Sequence, residues 1–233
     1  MRTAPTFVVL ALFCASCLAA PPPKFTVVRV DTQSEQLQLF LRDQTGASFH
    51  RFETLERWLT SQGKQLVFAM NAGMFEPDYS PVGLFVAQGK QLAPLNLSSG
   101  RGNFFMKPNG VFFVTAAGPR IVESSKYTAK PADVLLATQS GPLLVEHGAI
   151  HPAFSATSHS RVIRNGVGVT GHTAIFVISD DPVNFYELAS YFRDQLNCDD
   201  ALYLDGVVSG LFLPSRGRSD TTVDLGPIVG VVQ

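Results

Sequence analysis

The sequence predicts an α+β domain, mixed α/β in character, built on a large mixed sheet with few helices. Three observations lead there. Hydrophobic residues make up 45% of the 233-residue chain, yet they fall in short runs separated by Gly, Pro, Asn and Ser rather than in one long span, the pattern of strands and turns. Charged residues are only 16%, against roughly 25% in typical soluble domains. One segment, from Asp181 to Asn197, has clear helical spacing.

Residues 1–20 read as an export signal. Arg2 supplies the positive end, Phe7 to Phe13 the apolar stretch, and Cys14 to Ala20 a run of mostly small residues before Pro21-Pro22-Pro23. Cleavage near Ala19 or Ala20 leaves 21–233 as a single domain in the periplasm or outside the cell. Lipid modification at Cys17 is the runner-up: Ala15 and Ser16 are suitably small, but Cys14 stands where such signals usually carry Leu. The apolar stretch is too short to span a bilayer.

Phe25 to Val30 and Gln36 to Arg42 follow as two strands, the second alternating Leu37, Leu39 and Leu41 with polar neighbours, and together they predict a hairpin. Phe52, Leu55 and Leu59, with Trp58, form one face of a short helix that Gly63 can end. Leu66 to Met70 is the next strand, broken by Asn71-Ala72-Gly73. Val82 to Ala87, Gly110 to Thr115, Leu135 to Thr138, Pro142 to Val145, Ile175 to Ser179, Ala201 to Leu204 and Ile228 to Val232 complete the strand candidates. The helix between the strands at 175 and 201 starts with Asp181 as N-cap and Pro182 in its first turn, then repeats Phe185, Leu188, Ala189, Phe192 and Leu196. Strand, helix and strand predict a parallel crossover that sets Asp205 at a strand's carboxyl end, where open α/β sheets bind ligands.

Charge and cysteine content exclude several function classes. The net charge is −1 and the Lys and Arg residues are scattered, which gives no electrostatic footprint for nucleic acid and no polybasic membrane patch. With Cys14 and Cys17 in the leader, the mature chain keeps only Cys198, so it forms no internal disulfide and no cysteine zinc site. Cys198 reads as structural, because Asp199 and Asp200 disfavour a thiolate. The five histidines show no metal-ligand spacing. No cofactor is predicted, and a divalent metal and the oligomeric state stay open.

Small and polar residues recur where strands end. Leu202-Tyr203-Leu204-Asp205-Gly206 runs a buried-type strand into a carboxylate, followed by Ser209 and Gly210. Asp-Gly is also an ordinary turn. Asn71-Ala72-Gly73-Met74-Phe75 leads to Glu76 and Asp78; Asn71 could bond a sugar hydroxyl or phosphate oxygen, or cap its own turn. Asn109-Gly110 reads first as a hairpin turn and second as a site element. Gln139-Ser140-Gly141-Pro142 offers donors and acceptors, though Ser140 lacks the Gly-x-Ser-x-Gly setting of a hydrolase nucleophile. Arg164-Asn165-Gly166-Val167-Gly168 adds a guanidinium suited to phosphate.

Taken in this order, Asn71-Ala72-Gly73-Met74-Phe75, Gln139-Ser140-Gly141-Pro142, Arg164-Asn165-Gly166-Val167-Gly168 and Asp205-Gly206-x-x-Ser209 resemble the phosphodiester glycosidase family, in its exported bacterial branch. The resemblance covers roughly residues 65 to 233. It implies hydrolysis of a sugar-1-phosphodiester to free sugar and a phosphate monoester, with a small molecule or glycan as substrate. Asp205 would act at the anomeric carbon and Arg164 would hold the departing phosphate. Asn71, Gly73, Gln139, Ser140, Asn165, Gly206 and Ser209 would contact substrate, with Glu76, Asp78 and Asn109 as secondary candidates. Val207 and Val208 depart from the family's glycines and favour an alternative: an envelope module that binds a sugar or phosphoglycan without cleaving it. A purely structural envelope protein would leave Asn71, Gln139, Arg164 and Asp205 far apart.

Overall fold

A computed structural model of the chain describes residues 22–220 and 223–233. The leader expected over residues 1–20, with Cys14 and Cys17, lies outside the described residues. The chain begins with β1 (Phe25–Asp31), β2 (Gln36–Phe40), helix α1 (Phe52–Ser61), β3 (Leu66–Asn71), β4 (Phe85–Ala87) and β5 (Lys90–Ala93). Next come β6 (Gly110–Thr115), β7 (Gly118–Glu123), β8 (Val134–Ser140), β9 (Leu143–Glu146) and β10 (Ala149–Ile150). The last part holds β11 (Asn165–Thr170), β12 (Thr173–Ser179), helix α2 (Phe185–Ser190), β13 (Asp200–Tyr203), β14 (Leu211–Leu213), β15 (Arg218–Ser219) and β16 (Ile228–Val232). Mostly sheet with two α-helices, this is the α+β class the sequence predicts.

The strands form three sheets rather than one mixed sheet. Their orders are β1-β12-β11-β13-β9-β10, β15-β14-β3-β16-β2 and β5-β4-β8-β6-β7. Every pairing within them is antiparallel. All three sheets send side chains into one core, which includes Phe176 and Leu202 from the first, Phe68 and Val229 from the second, and Phe112 and Leu136 from the third. The outer faces are covered too. α2 packs Leu188 and Ala189, and the π-helical turn that continues it packs Phe192, against Ile175, Val177 and Ala201, and α1 packs Phe52, Leu55 and Leu59 against Leu66, Phe212 and Ile228. Strands such as β12 therefore bury both faces, which is why they read as unbroken apolar runs.

Three local expectations are corrected. β1 and β2 form no hairpin: β1 pairs along its whole length with β12, and β2 with β16. Each finds a long-range partner that covers it more fully than its neighbour in sequence would. Asn109-Gly110 is not a hairpin turn either, because Gly110 opens β6, and β6 turns back into β7 after Thr115. α2 starts at Asn184 rather than Asp181. Asn184 accepts from the Glu187 amide while the Glu187 side chain accepts from the Asn184 amide, a capping box, and Asp181 instead accepts from the Lys24 amide at 2.9 Å. The crossover through α2 does join two parallel strands, but β11 lies between them, antiparallel to both.

Candidate active site

Three strand ends, one from each sheet, converge on the loop after β13 that carries Asp205: Asn71 of β3, Ser140 of β8 and Asn165 of β11. The Asp205 amide donates to Asn165 Oδ1 at 2.9 Å, and the Gly210 amide donates to Asn71 Oδ1 at 2.9 Å. The two asparagines are buried and bond each other, Asn165 Nδ2 donating to Asn71 Oδ1. Ser140 Oγ donates to the Leu204 carbonyl at 2.8 Å, and Ser209 Oγ to that of Asp205 at 2.9 Å. A loop that could only be a surface turn is thereby fixed at both ends by the protein's interior.

Within that loop, Asp205 Oδ1 accepts from the amides of Gly206 at 2.6 Å and Val207 at 3.1 Å. Burial raises the carboxyl pKa above its ordinary value, and the amides of the Gly206-Val207-Val208 turn offset only part of that rise. Val207 projects outward with 87% of its surface exposed, while Val208 packs toward the α1 core. Neither valine adopts a left-handed backbone. Gly206 is needed for a different reason: a Cβ there would lie 1.8 Å from the Tyr203 hydroxyl.

Arg164 is turned inward and is 2% exposed. Its Nε donates to the Val183 carbonyl at 2.9 Å, Nη1 to the Tyr203 hydroxyl at 3.1 Å, and Nη2 to the Ser160 carbonyl at 3.1 Å. The Phe185 ring covers the guanidinium, with Cζ 3.8 Å from its centroid. No described carboxylate pairs with it. Burial, with the nearby Asp205 charge, pushes the Tyr203 pKa up, while Arg164 acts the other way. The hydroxyl therefore stays neutral and accepts from Arg164.

The other sequence-selected residues are spoken for by the scaffold. Gln139 Oε1 accepts from the amides of Leu84 at 3.0 Å and Asn96 at 2.9 Å, and its Nε2 donates to the Asn96 carbonyl and to Ser124 Oγ. Gly73 lets its backbone approach β8, where a Cβ would meet Thr138 Oγ1 and the Gln139 carbonyl at 2.5 Å. Asn109 donates to the Phe104 carbonyl at 2.9 Å and accepts from Lys107. Glu76 and Asp78 are exposed on a turn, and Asp78 Oδ1 accepts from Ser80 Oγ at 2.6 Å and from the Ser80 amide. That bonding to Ser80 lowers the Asp78 pKa.

Tyr203 and Phe185, which hold Arg164, are absent from the sequence-based site. A tyrosine amid aliphatic strand residues was the available signal, since a buried phenol usually needs a partner. Among the described residues no cluster of three or more His, Cys, Asp and Glu side chains could hold a metal ion, and no helix is long and apolar enough to cross a membrane. Burial raises the Cys198 thiol to about 11, in keeping with a structural role. A cavity of about 520 Å³ lies elsewhere, against Phe25, Tyr186 and Tyr191, and contains none of these residues.

Strand ends of all three antiparallel sheets thus meet at the loop that carries Asp205. The phosphodiester glycosidase family model matches residues 64–220, and the chain belongs to that family. It is 37% identical over 210 residues to the uncharacterized protein YigE of Escherichia coli K12, covering 90% of this chain and 81% of that one. Its fold is similar to the catalytic domain of zebrafish N-acetylglucosamine-1-phosphodiester alpha-N-acetylglucosaminidase, described as auto-inhibited by its pro-peptide. The TM-score is 0.61 at 14% identity, over 92% of this chain and 84% of that one.

Proposed function

We propose that this protein is an exported hydrolase that cleaves a sugar-1-phosphodiester to free sugar and a phosphate monoester. The observation that carries the reading is a partly desolvated carboxylate on a loop held at both ends, linked through Tyr203 to a buried arginine without a carboxylate partner. Water adds at the anomeric carbon as the bond from that carbon to the phosphate oxygen breaks. The electron pair of that bond leaves on the phosphate monoester, and Asp205 takes the proton of the attacking water. A phosphate leaving group needs little protonation, so one carboxylate can suffice.

Arg164 has too few free N–H groups to grip a phosphate as a fork. Its role in this reading is to orient Tyr203 and to supply positive potential in a low-dielectric setting, which favours an anionic substrate and a departing phosphate. Asn71, Asn165, Ser140 and Ser209 hold the loop, Gly206 makes room for the tyrosine hydroxyl, and Gln139, Gly73 and Asn109 shape the surrounding walls. Export rests on the leader-like composition of residues 1–20.

A second reading, a sugar- or phosphoglycan-binding module, is favoured by the exposed Val207 in place of a family glycine. One experiment separates the two. The purified chain and Asp205→Asn are incubated with a panel of sugar-1-phosphodiesters, and free sugar and phosphate monoester are measured. Hydrolysis predicts stoichiometric release by the parent and a loss of several orders of magnitude in the variant. Binding by both proteins with release by neither supports the module.

A further inference from the structure

His50, Phe75 and Tyr79 form a group of rings that the reaction as described does not use. Phe75 and Tyr79 stack with centroids 5.6 Å apart and planes 15° from parallel. His50 meets Tyr79 edge to face at 4.2 Å. All three residues are partly exposed. His50 and Tyr79 both have left-handed backbones, with φ of 57° and 65°, conformations that non-glycine residues adopt only where the surroundings impose them.

The surroundings are specific. The turn carrying Tyr79 is closed by the Glu76 amide on the Ser80 carbonyl at 2.8 Å and the Val82 amide on the Met74 carbonyl at 3.0 Å. Phe75 lies so close to Gly226 that a Cβ there would be 2.5 Å from its ring. The His50 carbonyl accepts from the Leu225 amide at 2.7 Å. The chain ties the group to the candidate site at two points: Phe75 lies four residues beyond Asn71, which holds Gly210, and a Cβ on Gly210 would lie 3.3 Å from Phe52, two residues beyond His50.

His50 Nδ1 is buried with no hydrogen-bond partner, and no described residue engages Nε2. A buried polar atom without a partner is costly, so the ring is held for its shape and for its other nitrogen. Two stacked rings with one polar atom at their edge match a pyranose, whose C–H face is apolar and whose rim carries hydroxyls.

We infer that His50, Phe75 and Tyr79 form a pyranose subsite beside the Asp205–Gly210 loop, with the sugar ring stacked on Tyr79 and a hydroxyl bonded to His50 Nε2. The inference rests on the proposed function for the choice of a sugar bearing a 1-phosphate group. It adds that the aromatic side of the loop takes the sugar, and that ring recognition is separable from catalysis.

The test is binding, measured by calorimetry with glucose 1-phosphate and N-acetylglucosamine 1-phosphate, with glycerol phosphate as a probe lacking a pyranose. Tyr79→Ala is expected to weaken the better-bound sugar phosphate by about tenfold and to leave glycerol phosphate within about twofold. Tyr79→Phe should retain most of the affinity, and His50→Gln should fall between the two. A circular dichroism spectrum matching the parent establishes that each variant is folded. Saturation transfer from protein aromatic protons to the sugar ring protons should disappear in Tyr79→Ala.

Ring-selective binding that depends on Tyr79 supports the subsite even if no phosphodiester is cleaved, in which case only the catalytic reading falls. Sugar phosphate binding unaffected by Tyr79→Ala, equal weakening of all probes, or no binding of either sugar phosphate overturns the subsite, and the first of these leaves the hydrolase reading in place.

Discussion

Asn71 and Asn165 stand amide to amide in the interior and hold the two ends of one loop, Asn165 at the Asp205 amide and Asn71 at the Gly210 amide. They come from different sheets, β11 and β3, so the loop's shape reports how those sheets meet. Replacing Asn71 with Ala strands the Gly210 amide and Asn165 Nδ2 without an acceptor, at about 1–3 kcal/mol for each buried group left unpaired. Asn165→Ala should cost a similar amount. Because each loss already breaks the shared bond, Asn71→Ala/Asn165→Ala should be less destabilising than the sum of the single changes. Urea unfolding of the four proteins measures this, and strict additivity would show that the two amides act independently.

Gly206 and the Tyr203 hydroxyl make a second close relationship. Adding a Cβ at 206 places it 1.8 Å from the hydroxyl oxygen, so Gly206→Ala must displace either the loop or the tyrosine that Arg164 bonds. Overpacking of this kind typically costs about 1–3 kcal/mol. In a Tyr203→Phe background the nearest ring atom is the carbon at 3.1 Å, and the same substitution should be better tolerated. Thermal unfolding of Gly206→Ala in both backgrounds decides the matter; equal costs would place the obstruction elsewhere.

Much of the sheet was legible because strands such as β6, β12 and β16 bury both faces and are written as apolar runs. β11 was not. Its sequence, Asn165-Gly166-Val167-Gly168, carries residues that strands usually lack, and its glycines are explained only by what lies over them: a Cβ on Gly168 would be 2.6 Å from Cys198 Sγ, and one on Gly166 would be 2.7 Å from the Leu202 carbonyl. The hairpin expected of β1 and β2 failed because pairing is decided across the whole molecule. At the site, the motifs picked out residues that the fold brings together, Asn71, Asn165, Ser140 and Asp205. Composition could not show that Gln139 and Arg164 point inward, since side-chain direction depends on partners such as Asn96 and Val183. His50, nearly thirty residues before Tyr79, carried no motif at all.

Arg164 supplies a test of geometry against charge. Lys at 164 keeps the positive charge but loses the planar fork that reaches Val183, Tyr203 and Ser160 and the flat surface under Phe185. Each charge-assisted bond lost is worth about 1.5–3 kcal/mol, so Arg164→Lys should lower the unfolding free energy by at least one such increment. If the arginine acts by orienting Tyr203, Arg164→Lys should also reduce kcat more than it raises KM. A variant as stable as the parent, with only KM altered, would instead make Arg164 a direct binder of substrate.

Asp205 sets stability against function, and its raised pKa gives the sign. Folding favours the protonated carboxyl, because burial penalises the charged form more than the turn amides repay it. The stability this group contributes is therefore fully present below its unfolded value and is lost as pH rises through the higher folded value. Asp205→Asn keeps an oxygen for the amides of Gly206 and Val207 but cannot ionise. Relative to the parent, the variant should gain stability as pH rises through that window and hold a constant advantage above it, with the gain absent in acid. Turnover should move oppositely: in the parent it falls as pH drops through the same folded pKa, and in Asp205→Asn it is lost throughout. Unfolding curves at a series of pH values, set beside a pH–rate profile, measure both. If Asp205→Asn were no more stable than the parent at neutral pH, the carboxylate would be better solvated than the fold implies, and the pH–rate profile would then have to be assigned to another group.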